Sequence, residues 1–396
     1  MPRISPPKYV KQILFRLQAR GHLAYLVGGC VRDILMDTVP QDWDICTSAL
    51  PEQVLEIFPG SRPTGLRHGT VTVIIGSRSA EVTTFRTESG YRDHRRPDAV
   101  NFVSDLISDL GRRDFTINAI ALSADGLISD PYGGINDIDS RIIRCVGEPE
   151  RRFNEDALRM FRALRFSARL GFTVEYETLS AIGRCAHTAE ALAPERIRDE
   201  LEKILLSPRP ETLSAAISLG LLSKYLPGAG GKMPRLARLG GLPAKALTRW
   251  ISFAAMLRSS GYIASAEEFL LSLRLDGRTV RCASNAEEML KNEPPSDQLG
   301  WKRLLNRYGV DSVSCAASAH DLLFGSDCGK ELRAVLKSGE CFSLKHLAVT
   351  GDDLLELGLK GTELGEMLRF LLDYVMEHPD KNRREILLGL AYTEEN

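Results

Sequence analysis

The chain has 396 residues and a formal net charge of −1, from 51 Lys and Arg against 52 Asp and Glu. At about 150 residues per domain, and beyond the ~250–300 residues at which one core stops growing, it predicts two to three domains. With 43% hydrophobic and 26% charged residues it is neither disordered nor collagenous, and no global basic field announces a nucleic-acid partner, although a local basic groove fits a neutral total.

Lys8–Arg20 carries Val10, Ile13, Leu14 and Leu17 at helical spacing and stops at Gly21. Leu23–Val27 reads as a strand that turns at Gly28-Gly29 into a helix over Cys30–Met36. Asp42–Cys46 alternates as a strand does, and Pro51–Phe58 follows as a helix. Thr70–Ile75 and Glu81–Phe85 form an antiparallel hairpin, which sets Glu81 on a strand beside another strand. Arg86–Val100 is charged and aperiodic and predicts a long loop, with a helix at Phe102–Leu110 and an amphipathic helical segment at Asp114–Leu122. Leu127–Ser129 is a short strand, and Asp130–Gly134 is turn chemistry. Beyond about residue 148 strands almost vanish: helices are predicted from Asn154–Leu170 through Asn382–Leu390, with hinges at Pro227–Pro234 and Pro294-Pro295.

The eight cysteines form no C-x-x-C pair and no Cys/His cluster with zinc spacing, and so read as thiols of a reducing compartment. His68 and His187 lack ligand-spaced companions. No apolar leader and no run of about 18 apolar residues is present, which predicts a cytoplasmic protein without a membrane partner. Oligomeric state is open at this level.

Three constellations carry chemistry. Asp42 and Asp44 lie two apart on a strand, roughly 6–7 Å along it, on one face. A third acid, Glu81, comes from another strand, and three carboxylates on one face repel one another unless cations join them. Hard oxygen donors suit Mg²⁺, so Asp42 and Asp44 are the predicted metal ligands and Asp42, Asp44 and Glu81 the predicted catalytic acids of a two-metal phosphoryl transfer. Gly28 and Gly29 allow close approach of phosphates to the following helix N-terminus, and Arg32 brings a planar fork. An edge strand facing solvent is the plainer alternative for the D-x-D pair alone.

In the second constellation, Arg113 suits phosphate, and Asp114 and Asn118, four apart on a helix, suit sugar hydroxyls; a surface pair is the equal alternative. In the third, Asp156, Arg159, Arg162 and Arg165 form one helical stripe. Its arginines outnumber the visible acidic partners, so an anion or a nucleobase edge is expected there, with surface salt bridging as the rival. The basic stretch around Asp93, Arg95 and Arg96 either closes over a nucleotide or is a solvated loop. No P-loop or G-x-G-x-x-G motif is present.

Together LVGGCVRDILM, QDWDICTSALPEQV, TGLRHGTVTV, EVTTFRTE, RRDFTINAIA, DPYGGINDI, NEDALRMFRALRF and ERIRDELEKIL occur in the order of one family. The chain resembles the class II tRNA nucleotidyltransferases, the bacterial CCA-adding enzymes, within a superfamily that includes bacterial poly(A) polymerase. The resemblance covers about residues 23–206, and GDDLLELGLKGTELGEML and NRREILL extend it to the tail. It implies an α+β fold: a small mixed β-sheet nucleotidyltransferase head (1–147), then an elongated all-helical neck with a base-recognition helix (148–225) and a helical body and tail for tRNA (226–396). It implies addition of C, C and A to tRNA from CTP and ATP, with pyrophosphate released and Mg²⁺ as cofactor. By position, Gly28, Gly29 and Arg32 bind the triphosphate. Arg113, Asp114 and Asn118 hold phosphate and ribose. Asp156 and Arg159 template the base, with Arg162 and Arg165 completing the site. DHRRP, with Asp93, Arg95 and Arg96, matches the flexible loop used in switching from C to A addition, which CC-specialised enzymes tend to lack. The family's Gly before the D-x-D strand is Asp37 here, a residue that tolerates left-handed backbone. An A-adding enzyme, a poly(A) polymerase and a catalytically silent RNA-binding protein remain alternatives.

Overall fold

A computed structural model describes residues 4–89, 99–228 and 231–393. The chain forms two compact units, Met1–Lys224 and Tyr225–Asn396, so the first takes in both the predicted head and the predicted neck.

The strands of the first unit are β1 (Ala24–Val27), β2 (Asp44–Thr47), β3 (Arg62–Gly65), β4 (Thr70–Ile75), β5 (Arg78–Thr84), β6 (Arg86–Ser89), β7 (Ala99–Phe102), β8 (Ala121–Ser123), β9 (Ile128–Ser129), β10 (Ile142–Ile143) and β11 (Thr173–Val174). Seven of them make one mixed sheet in the order β3-β4-β5-β2-β1-β8-β9. Only the β2–β5 pairing is parallel, and it sets Asp44 opposite Glu81 and Ile45 opposite Val82. Alternation along β4 and β5 buries Val71, Val73, Ala80 and Val82 and leaves Glu81 on the exposed face. The sheet's apolar face is closed by helix α1 (Lys8–Ala19), whose Val10, Ile13, Leu14 and Leu17 are buried, by α2 (Gly29–Leu35) and by α3 (Pro51–Ile57).

Then come α4 (Leu106–Gly111), α5 (Gly134–Asp139), α6 (Pro149–Glu155), α7 (Leu158–Leu170), α8 (Tyr176–Cys185), α9 (Pro194–Leu205) and α10 (Leu213–Ser218). The second unit holds α11 (Ala246–Ser259), α12 (Ala266–Ser272), α13 (Gly277–Met289), α14 (Gln298–Phe324), α15 (Cys328–Ser338), α16 (Gly351–Glu356), α17 (Gly361–Glu377) and α18 (Arg384–Thr393). Gly309, at φ 77°, breaks α14, where helical spacing in the sequence predicts two helices, Asp297–Tyr308 and Asp311–Phe324. The fold is thus the α+β plan, a mixed sheet followed by helices. Beyond residue 148, β11 is the one strand among the described residues; it pairs in parallel with β10. Among the described residues no helix is long and apolar enough to cross a membrane.

Several elements depart from expectation. The predicted strand over Asp42–Cys46 starts at Asp44, with Asp42 in the bend before it. The predicted loop Arg86–Val100 begins and ends in an antiparallel hairpin, β6–β7, and takes Phe102 from the predicted helix. Asp93, Arg95 and Arg96 lie outside the described residues. Asp114–Leu122 is a 3-10 turn over Thr116–Asn118 leading into β8. Gly134 explains that turn: a Cβ there would lie 2.2 Å from the Thr116 carbonyl, so the chain passes too close for a side chain. Asn154–Leu170 is interrupted at Asp156, whose extended backbone (φ −141°, ψ 104°) separates α6 from α7. Asp37 adopts φ 52°, the left-handed conformation expected of it.

Candidate active site

Asp42, Asp44 and Glu81 line one opening of about 360 Å³, together with Tyr9, Gln41, Trp43 and Thr72. Asp44 and Glu81 meet because the parallel register makes them neighbours on one sheet face. Asp42 reaches the same opening from the bend, while Trp43 between them turns into the core at 7% exposure. Burial raises the Asp44 carboxyl above the usual carboxylate range; Glu81 and Asp42 add to the rise and Arg113 opposes it. Among the described residues no ion pair takes up any of the three carboxylates. Hard oxygen donors that no ion pair takes up fit a divalent cation.

Beside Asp44 the chain turns at Gly28, with φ 78° and ψ −138°, into the N-terminus of α2. A Cβ on Gly28 would lie 3.3 Å from Arg113 Nη1 and 3.6 Å from Asp44 Oδ2, so glycine keeps the space between them open. Arg113 Nη2 donates to the buried Asp109 carboxylate at 3.1 Å.

A second network starts at Arg32, which is 3% exposed. Its Nη1 donates to Asn118 Oδ1 at 2.9 Å and its Nε to Asp33 at 2.9 Å, so its fork is engaged within the protein rather than turned outward. Asn118 Nδ2 donates to Asp114 Oδ1 at 3.2 Å, and Arg162 Nε donates to Asp114 Oδ2 at 2.8 Å. Burial alone would raise the Asp114 carboxyl, but Arg162, Asn118 and Arg159 outweigh it and hold it at about 2. The predicted contact between Asp114 and Asn118 therefore forms, but across a 3-10 turn rather than along an α-helix.

The arginines of the Asp156–Arg165 stripe find acidic partners off the stripe but still outnumber them, since Glu155 is shared with Arg151 and Arg152 and Glu200 with Lys203. Arg159 donates to Glu155 at 2.7 Å, Arg162 to Asp114, and Arg165 Nε pairs with Glu200 at 2.8 Å. The acids come from α6, from the Asp114 loop and from α9, distant in sequence or across the break at Asp156. Asp156 itself pairs with Arg196 at 3.1 Å. Arg32, Arg162 and Arg165 surround the ring of Phe166, at 5.4, 5.5 and 4.4 Å from its centroid.

The family described as "Poly A polymerase head domain" matches residues 24–144, and "Probable RNA and SrmB- binding site of polymerase A" matches 171–230. The chain is 48% identical over 388 residues to the CCA-adding enzyme of Lactobacillus helveticus (strain DPC 4571), covering 94% of each. It is 39% identical over 354 residues to that of Geobacillus sp. (strain WCH70), covering 87% of this chain and 86% of the relative. The crystal structure of the Bacillus stearothermophilus CCA-adding enzyme in complex with CTP superposes with a TM-score of 0.81 at 34% identity, covering 99% of each chain. The chain belongs to the CCA-adding enzymes. It is thus a nucleotidyltransferase of that family, and an RNA-binding one.

Some features of this CCA-adding enzyme family member escaped the sequence. Tyr9 reaches the carboxylate opening from α1, and Asp109, Arg196 and Glu200 supply the partners of Arg113, Asp156 and Arg165. RRDFTINAIA and ERIRDELEKIL contain or adjoin three of these four, but their pairing is set only by the fold. In the second unit His320, Asp321 and Cys328 place one potential metal-ligand atom each within 4.8 Å of one another, although their sequence spacing is not that of a zinc motif. The Ser326 hydroxyl lies among them, 2.7 Å from His320 Nδ1, 2.7 Å from Asp321 Oδ1 and 3.3 Å from Cys328 Sγ, and links the three as they stand.

Proposed function

We propose that this enzyme adds C, C and A in turn to the 3′ end of tRNA, using CTP and ATP and releasing pyrophosphate. The observation that carries the reading is the shared opening of Asp42, Asp44 and Glu81 beside the Gly28 turn and Arg113. The CTP held by the Bacillus stearothermophilus relative supports it.

Asp42 and Asp44 would hold Mg²⁺, with Glu81 adding negative charge from the neighbouring strand. Bound there, Mg²⁺ supplies charge neutralisation for the triphosphate and acidifies the attacking 3′-hydroxyl. Gly28 and Gly29 let phosphate oxygens approach the backbone at the start of α2, and Arg113 Nη1 faces the same space. Arg32 acts on the nucleotide through Asn118, which it orients; Asn118 and Asp114 offer a donor and an acceptor to ribose hydroxyls. Asp156 and Arg159 select the base, Asp156 with acceptors and Arg159 with donors. Arg162 and Arg165, gathered at Phe166, complete the pocket wall. Residues 1–147 act as catalytic head, 148–225 as neck and 226–396 as the tRNA-binding body and tail, which reads A-form shape through backbone contacts. Asp93, Arg95 and Arg96 belong to a loop that acts in the switch from C to A.

The test uses purified protein, tRNA lacking CCA, and CTP or ATP singly and together with Mg²⁺, followed by sequencing of the products. Two cytidines from CTP alone and a terminal adenosine only when both nucleotides are present support the reading. Adenosine tracts assign a poly(A) polymerase, A addition confined to tRNA ending in CC assigns an A-adding enzyme, and no incorporation assigns a silent RNA-binding protein.

A further inference from the structure

Asp109 is the most completely buried acid of the first unit, at 0% exposure on α4, yet it touches no part of the carboxylate opening. Its carboxylate accepts Arg112 Nε at 2.9 Å, Arg113 Nη2 at 3.1 Å and the backbone N–H of Arg86, the first residue of β6, at 3.3 Å. Burial alone would push its carboxyl up, but the Arg112 and Arg113 charges outweigh this and keep it below the usual range.

Arg113 stands between two acids. Nη2 is taken by Asp109, Nε is buried without a hydrogen-bond partner, and Nη1 faces Asp44 Oδ2 across Gly28. A guanidinium released from Asp109 has a second carboxylate at hand. An Arg–carboxylate contact is charge-assisted and occupies the oxygens that a cation would use.

We propose that Asp109 is a positioning residue: by holding Arg113 from behind, it keeps Asp44 open to a divalent cation and leaves Arg113 Nη1 facing the space for phosphate. The same carboxylate ties this arrangement to the base of the β6–β7 hairpin through Arg86. The proposal rests on the reading of Asp44 as a cation ligand.

The experiment measures Mn²⁺ binding to the full chain without nucleotide, by electron paramagnetic resonance of the free ion, for wild type, D44N, D109N, R113Q and D109N/R113Q. A guanidinium moving onto Asp44 is worth about one pKa unit or more, so D109N should lose about tenfold in Mn²⁺ affinity. Removing the competing arginine in D109N/R113Q should return affinity to within about twofold of wild type, a rescue that a merely structural aspartate would not allow. R113Q alone is the reference for the double variant, since it removes the arginine's charge without releasing that charge onto Asp44. Folded D109N with wild-type affinity, or a loss that persists in the double variant, overturns the proposal. Where D109N does not fold, D109S takes its place, alone and with R113Q, and is read in the same way. Wild type that binds no better than D44N overturns the cation reading of Asp44 and this proposal with it. Binding that depends on Asp44 but not on Asp109 overturns this proposal alone.

Discussion

Replacing Gly28 with alanine tests the site through a single methyl group. Two effects separate. The backbone at φ 78° and ψ −138° belongs to a region that L-residues avoid, at a cost of about 1–3 kcal/mol. The methyl carbon would also sit 3.3 Å from Arg113 Nη1 and 3.6 Å from Asp44 Oδ2, in the space where a phosphate approaches the backbone. The first effect lowers stability, by about 2–4 °C in melting temperature for each kcal/mol in a domain of this size. The second acts on the reaction: a misplacement of about 1 Å at a reacting centre costs on the order of 100-fold. Gly126→Ala separates the two, since Gly126 has φ 90° but open space around its missing Cβ. Nucleotide incorporation would be measured per folded molecule, with melting followed in parallel. G28A should fall about 100-fold and G126A should keep wild-type activity, both with lowered melting temperatures. Equal activity per folded molecule in the two variants would refute the placement of the triphosphate at this turn.

Three other substitutions probe charge. Asp44 has a carboxyl raised by burial and by its neighbouring acids, so its ionisation opposes folding and that cost grows as pH rises through the raised pKa. Asp44→Asn should therefore stabilise the cation-free protein to urea at neutral pH and not in acid, lose incorporation and lose the stabilisation Mg²⁺ gives wild type; an equal Mg²⁺ response in both proteins counts against it. Asp114, held at about 2, contributes stability above the ordinary carboxylate pKa that disappears as pH falls towards about 2. Asp114→Asn should cost about 2 kcal/mol near neutrality and progressively less in acid, and a pH-independent difference would rule out the ion pair with Arg162 as its source. Asp156→Ala breaks a partly buried pair with Arg196 and the hydrogen bond Asp156 accepts from the Leu158 N–H at the start of α7, so it should cost about 1–2 kcal/mol, while the preference between CTP and ATP per folded molecule shifts about tenfold. Unchanged selectivity would remove Asp156 from base recognition.

What the sequence made legible follows from where the determining contacts lie. The helix α1, the β4–β5 hairpin and the helices of the second unit announce themselves through periodicity, because each buries one face whatever its partner. Asp42, Asp44 and Glu81 were visible as a set because too many acids with no local counter-charge is a local pattern, and the parallel register of β2 and β5 brings two of them side by side. The hairpin β6–β7 was not visible: its strands are four residues each, and a charged stretch without alternation gives no period to read. Nor was the 3-10 turn at Thr116–Asn118, whose Thr116 carbonyl packs against Gly134, eighteen residues further on, where no side chain would fit.

The arginine stripe shows the limit most directly. Counted along their own helix, Arg159, Arg162 and Arg165 exceed their acids, which calls for an external anion. Counted in space, Glu155, Asp114 and Glu200 each take one of them, although Glu155 also pairs with Arg151 and Arg152 and Glu200 with Lys203. Each arginine around Phe166 thus has an acid beside it, Asp33, Asp114 or Glu200, whereas among the described residues no ion pair takes up Asp42, Asp44 or Glu81. On the proposed reading, a triphosphate brought to this site would find countercharge in a cation held by the acids. Arg32 and Arg162 instead spend hydrogen bonds on Asn118 and Asp114 and fix those two side chains in place, the preorganisation that the proposed ribose recognition requires.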